Sequence, residues 1–176
     1  MEFQPFLYSS ELLLRPFSLA DAGAVQVLAG DKRVAETTSN IPHPYLDGFA
    51  ESWIATHEGR WQRAEGVTYA ITLKNDEMLI GAIGLLGISG SSAEIGYWIG
   101  VPFWGQGYCT QAVACLVGFG FSELNLERIY AKHLTINPAS GKVLAKCSFT
   151  HIGQTVENRS KDNSVVTVEQ YEKFKA

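Results

Sequence analysis

The chain has 176 residues, 46% hydrophobic and 18% charged, which suits a single domain over residues 1–176 with enough apolar material for a core and no signature of disorder. A formal net charge of −4 at pH 7 supplies no basic face for nucleic-acid phosphates, while leaving room for a local basic pocket that holds a small anion. No apolar run reaches the roughly 18 residues of a membrane span. No basic-then-apolar leader opens the sequence, and Cys109, Cys115 and Cys147 lack the C-x-x-C spacing of a zinc site or the even count of a disulfide framework. The expectation is a soluble cytoplasmic protein with reduced thiols, no metal, and neither nucleic acid nor membrane as partner.

Glu11 to Phe17 reads as a strand, with three consecutive leucines followed by Arg15 and Pro16. Ser18 to Ala29 then reads as a helix, with Ser18 as cap and Asp21 as the distal half of a capping box. Pro42 and Pro44 mark residues 37–47 as loop, and Gly48 to Ala64 returns to helical spacing through Phe49, Trp53, Ile54 and Trp61. Thr68 to Lys74, Met78 to Ile88 and Ala93 to Val101 are three successive strands, the first two joined by an Asn75-Asp76-Glu77 turn. Thr110 to Glu123 is apolar nearly all round, as a helix buried on most of its surface would be. A strand over Arg128 to Thr135, a helix over Ala139 to Cys147, and closing strands over Thr150 to Glu157 and Ser164 to Tyr171 complete the chain. The order β-α-α-β-β-β-α-β-α-β-β predicts one mixed α/β or α+β sheet of about seven strands, with about four helices packed on it.

The informative segment runs from Gly96 to Thr110, where a strand enters a short loop holding Gly105 and Gly107 and a long helix starts directly after it. Unpaired N–H groups and the positive end of the helix dipole converge there, which is the geometry for holding a phosphate. The plain alternative is a tight strand-to-helix turn. A Walker loop is excluded because no lysine follows Gly105, and a dinucleotide fingerprint would need a third glycine where Thr110 stands.

In order and spacing these residues resemble the GNAT superfamily of acetyl-CoA-dependent N-acetyltransferases, in its RimJ/RimL-type branch. The marks are Leu12 to Pro16, the P-x-P loop at Pro42 and Pro44, Trp53-Ile54 and Ile80-Gly81. Ala93-Glu94-Ile95-Gly96-Tyr97-Trp98-Ile99, then Trp104-Gly105-Gln106-Gly107-Tyr108, and Asn137-Pro138-Ala139-Ser140 follow in turn. The resemblance covers Leu12 to Tyr171 and implies a mostly antiparallel sheet with helices on both faces and two central strands that splay apart. Acetyl-CoA would be the cosubstrate, its pantetheine arm lying in the cleft against backbone groups around Ile99 and Val101. Its pyrophosphate would sit on the N–H groups of Gly105, Gln106, Gly107, Tyr108, Cys109 and Thr110. The resemblance also implies Asn137 as a pantetheine ligand and Ser140 as a contact to the coenzyme sulfur. Departures are visible too: Ile152 stands where family members carry a carboxylate, and Ser148 stands where they carry glycine.

Acyl transfer to an amine needs a held thioester, a stabilised oxyanion, a base and help for the departing thiolate. No Cys–His pair or G-x-S-x-G elbow points to a covalent intermediate. Glu94, on a central strand where burial would raise its pKa, is the candidate base; a structural or solvent-facing carboxylate is the alternative. Ser140 is the candidate partner of the thiolate, against a simple helix-capping role. Asn137 could equally be a turn residue before Pro138. Lys142 and Lys146, one helical turn apart, could reach the adenine-side phosphates or form a solvated face; Lys146 is the candidate coenzyme contact. His43, in the P-x-P loop, is a candidate for lining the acceptor site.

The expected function is therefore transfer of acetyl from acetyl-CoA to a primary amine by direct attack in a ternary complex. The acceptor is a protein N-terminus or a small amine, and a homodimer is left open. A non-catalytic acetyl-CoA-binding module is the rival reading, distinguished by whether Glu94 meets the cleft. A dinucleotide oxidoreductase lacks both the third glycine and a parallel βαβ repeat.

Overall fold

The computed structural model describes residues 3–176. Its strands are β1 (Leu7–Tyr8), β2 (Leu12–Arg15), β3 (Gly66–Leu73), β4 (Leu79–Ser89), β5 (Ser92–Ile99), β6 (Arg128–Leu134), β7 (Thr150–Asn158) and β8 (Val165–Phe174). The α-helices are α1 (Ala22–Ala29), α2 (Lys32–Glu36), α3 (Phe49–Gln62), α4 (Tyr108–Ser122) and α5 (Pro138–Lys146). All eight strands form one sheet in the order β1-β2-β3-β4-β5-β6-β8-β7. Every neighbouring pair is antiparallel except β5 and β6. No helix among the described residues is long and apolar enough to cross a membrane.

Helices cover both faces of the sheet. Ile71, Ile83, Leu85, Ile95, Ile99 and Ile129 face α4 and α5 in one cluster, and Ala70, Leu79 and Trp98 face α1 to α3 in the other. That explains the sequence of β4, where Leu79 to Leu85 are all buried: a strand covered on both sides reads as a continuous apolar run rather than an alternation. The apolar girth of α4 has the same cause, since Ala112, Val113, Leu116, Val117 and Phe119 are buried together.

The sheet holds one more strand, and the fold one more helix, than the sequence pattern predicts. β1 is two residues long and pairs with β2 through Leu7↔Leu14 and Tyr8↔Leu13, too short a stretch to show a period. α2 is a single five-residue turn whose Asp31 cap accepts from the Arg33 N–H at 2.9 Å. Residues 19–21 form a 3₁₀ turn before α1, pinned by Asp21, which accepts from the Ser18 N–H at 2.8 Å and from both terminal guanidinium nitrogens of Arg15. α4 begins two residues earlier than its apolar run, directly after Gly107.

One break in the ladder positions the site. β5 and β6 pair only through Ser92↔Arg128, Ala93↔Ile129 and Glu94↔Tyr130. β5 nevertheless continues to Ile99 and β6 to Leu134, each still paired on its outer side. Beyond Glu94 the two strands part.

Candidate active site

The backbone of β5 decides what the gap offers. The Gly100 N–H donates to the Ile80 carbonyl at 2.8 Å, so even-numbered residues of this stretch turn their polar groups toward β4. Tyr97 and Ile99, beyond the last β6 pair, turn theirs into the gap. Two carbonyls there are already used: Trp104 donates its indole N–H to the Ile99 carbonyl at 2.6 Å and its backbone N–H to the Val101 carbonyl at 3.2 Å. The expected strand-like bonding around Ile99 and Val101 therefore narrows to their N–H groups, with Tyr97 added. Trp104 also ties the glycine loop back onto the end of β5.

The loop itself turns through Gly105 (φ +76°) and Gly107 (φ +82°), left-handed conformations that glycine adopts without a Cβ clash. Gly107 is the N-cap of α4 and brings no capping side chain, and the first bond into it is from the Gln111 N–H to the Gly107 carbonyl at 3.2 Å. The N–H groups of Tyr108, Cys109 and Thr110 are thus the orphan donors of a helix start, aimed at one point. Gln106 folds its side chain back onto the Pro102 carbonyl at 3.1 Å, which leaves its backbone N–H to the loop. Burial pushes the Cys109 thiol up to about 12, with Cys147 adding to the shift, so it stays protonated and unreactive. The Cys147 thiol lies 3.5 Å from the Thr110 carbonyl, which brings the end of α5, with exposed Lys142 and Lys146, beside this nest.

Asn137 and Ser140 open α5, and neither side chain caps it. The Asn137 amide donates instead to the Thr37 carbonyl at 3.4 Å, joining the helix start to the chain after α2. The Ser140 hydroxyl lies 2.8 Å from the Tyr97 hydroxyl, across from β5. α5 can sit this close to the sheet because of Gly141: a Cβ there would fall 2.7 Å from His133 Nε2 and 2.9 Å from the Tyr171 hydroxyl.

Glu94 lies on the opposite face of β5 from Tyr97, the face of Trp98, at the closed end of the gap. It is half-buried. Burial pushes its carboxyl above the usual range, Lys132 opposes that shift, and Glu157 adds to it. Lys132 is held by Glu157 at 2.8 Å, so its charge is shared between two carboxylates. Among the described residues no group of three His, Cys, Asp or Glu side chains could hold a metal ion.

A gap between two parallel strands, with an uncapped helix start at one end and a half-buried carboxylate at the other, is accompanied by a match to a family model. Residues 11–150 match the acetyltransferase (GNAT) domain. The chain belongs to the GNAT family. Acetyl-CoA is accordingly its acyl donor. The chain is 31% identical over 156 residues to the uncharacterized N-acetyltransferase YoaA of Bacillus subtilis, covering 85% of each. The RimL ribosomal L7/L12 α-N-protein acetyltransferase with coenzyme A has the same fold (TM-score 0.84, 20% identity, 97% of this chain and 98% of that one). So does the spermidine N-acetyltransferase of Vibrio cholerae with CoA and spermine (TM-score 0.79, 20% identity, 94% and 96%).

In this GNAT domain the β7–β8 turn is tied to the chain around the end of α2 by residues that the sequence did not single out. Arg159, at the β7–β8 turn, donates to the carbonyls of Ala35, Glu36 and Thr38 at 3.1, 2.8 and 2.7 Å. Lys161 donates to the carbonyls of Ala35 and, at 3.1 Å, Ile41. These two cations gather on the carbonyls around the end of α2 and so strap the hairpin over residues 35–41. Nothing local marks such partners, which lie more than 110 residues apart. His43 is exposed and bonded to the Gly30 carbonyl at 3.2 Å, on the outer part of the same loop. Ile152 sits in the β7 bulge between His151 and Gly153 and is exposed.

Proposed function

We propose that the protein acetylates a primary amine, either a protein N-terminus or a small amine, by direct attack on acetyl-CoA held in the gap between β5 and β6. The observation that carries this reading is the parting of the two strands directly after Glu94 and Tyr130, with the α4 N-terminus at the far end. In this reading the pyrophosphate lies on the N–H groups of Gly105 to Thr110, with Lys146 near its adenine side. The pantetheine arm runs back along β5, meets the N–H groups of Tyr97 and Ile99, and brings the thioester toward the closed end. Asn137 would turn its amide from Thr37 to the arm.

The two reacting partners then approach from opposite faces. Glu94, on the α1–α3 side, accepts the ammonium proton, directly or through one water, and its raised pKa brings a carboxylate nearer the range useful to a base. Ser140, on the α5 side, donates a hydrogen bond to the sulfur as negative charge develops there. The alcohol is a far weaker acid than the thiol and keeps its proton. Positioning and the N–H groups supply the rest. This placement of Glu94 favours an enzyme over a module that only binds the coenzyme.

The test is thiol release from acetyl-CoA with a panel of N-terminal peptides, polyamines and small amines. Turnover with at least one amine, lost in Glu94→Gln, supports the reading. Acetyl-CoA binding without turnover on any amine overturns it.

A further inference from the structure

Resting on the assignment of Ser140 to the leaving sulfur, we propose that Tyr97 is the positioning residue that aims the Ser140 hydroxyl at that sulfur. The Tyr97 hydroxyl has one proton and two acceptors within reach on α5, Ser140 Oγ at 2.8 Å and the Ser140 carbonyl at 3.3 Å. When it donates to the nearer one, the serine proton is left without a protein partner and turns toward the gap. A serine in the first turn of a helix otherwise has its own backbone to bond and three staggered rotamers to choose from. The phenol removes that choice, and by donating into Oγ it strengthens the serine O–H as a donor.

The location fits. Tyr97 lies three residues past the last β5–β6 pair, on the face turned to α5, and both hydroxyl-bearing residues are only partly buried, so the pair borders the space where the thioester lies. Burial pushes the phenol well above its ordinary pKa, with the Ser140 contact opposing that shift, and the group stays a neutral donor throughout the working range. The step balances without ionising either hydroxyl. The ammonium gives one proton to Glu94, the freed lone pair forms the C–N bond, the C–S pair goes to sulfur, and the second nitrogen proton passes to water as the adduct collapses to the amide. Coenzyme A leaves as a thiolate that is protonated in water.

The experiment is a kinetic double-mutant cycle of Tyr97→Phe and Ser140→Ala. Thiol release is followed with the best amine of the panel, or with water as the slow acceptor, since both reactions expel the same thiolate. Tyr97→Phe should lower kcat about 5- to 10-fold while the KM for acetyl-CoA stays within about twofold, and Ser140→Ala should lower kcat tenfold or more. Because Tyr97 acts only through Ser140, the double variant should be no slower than Ser140→Ala alone. Equal loss from Tyr97→Phe in both backgrounds, or wild-type kcat in Tyr97→Phe, overturns the proposal. Wild-type kcat in Ser140→Ala instead overturns the assignment beneath it, in an arm where Tyr97 is untouched. An acetyl-CoA-induced rise in Tm, required of every variant, shows that fold and coenzyme site survive.

Discussion

The two edges of β5 behave differently. Toward β4 the ladder is continuous from Glu94↔Leu86 to Ile99↔Gly81, and Gly100 extends it onto Ile80. Toward β6 it stops after three pairs. A buried strand cannot leave polar backbone groups unpaired without a penalty of about 1–3 kcal/mol each. The protein meets this on the open edge by giving Trp104 to the Ile99 carbonyl and leaving donors behind. With the Ile99 carbonyl taken, the N–H groups of Tyr97 and Ile99 remain on that edge, which in the proposed reading meet the acceptor amides of coenzyme A. In the proposed reading the closed edge serves stability and the open one binding.

The largest effect should come from filling the nest at the open end. Gly107→Val forces a β-branched residue into φ +82°, and its side chain would occupy the open space facing the first turn of α4. In the wild type, acetyl-CoA at 100 times its Kd should stabilise the fold by about 2.7 kcal/mol. Thermal melts should show that gain abolished in the variant, and an undiminished shift would separate the nest from the coenzyme.

Next comes the carboxylate at the closed end. A base works deprotonated, so kcat/KM should rise with pH through the Glu94 pKa. Burial raises that pKa, which places the limb above the usual 4.5. Glu94→Gln should remove the limb and lower kcat/KM by about 100-fold, with coenzyme binding intact. An unchanged rate and pH profile would assign the proton elsewhere.

A smaller effect should follow from moving α5 without touching its chemistry. The Gly141→Ala methyl meets His133 and Tyr171 at less than 3 Å, which should cost about 1–3 kcal/mol by overpacking. It should also shift Ser140 off Tyr97, so that kcat falls while the acetyl-CoA-induced Tm shift is retained. A variant that melts earlier yet turns over normally would make Ser140 a bystander.

What the sequence told was local. The glycine loop, the apolar girth of α4 and the Glu94 strand are legible because loop chemistry and burial leave a mark within a few residues. The seven predicted strands are there for the same reason, whereas β1 and α2 are too short to carry a period. The rest depends on distant partners. Ser140 looks like a helix cap until Tyr97, 43 residues away, is found holding its hydroxyl. Asn137 looks like a turn residue until its amide is found on Thr37, 100 residues away. Trp104 reads only as the head of the glycine motif and is a clamp. The straps from Arg159 and Lys161 exist only once the chain has closed on itself.

Amide hydrogen exchange, resolved by residue and measured with and without acetyl-CoA, tests the asymmetry of β5 most directly. The β4-facing amides of Gly96, Trp98 and Gly100 should be protected in both states. The gap-facing amides of Tyr97 and Ile99, and those of Tyr108 to Thr110 at the start of α4, should exchange readily in the free protein and slow at least tenfold when the coenzyme binds. If acetyl-CoA slows none of these five amides, or slows both edges of β5 alike, the gap between β5 and β6 is not where the coenzyme lies.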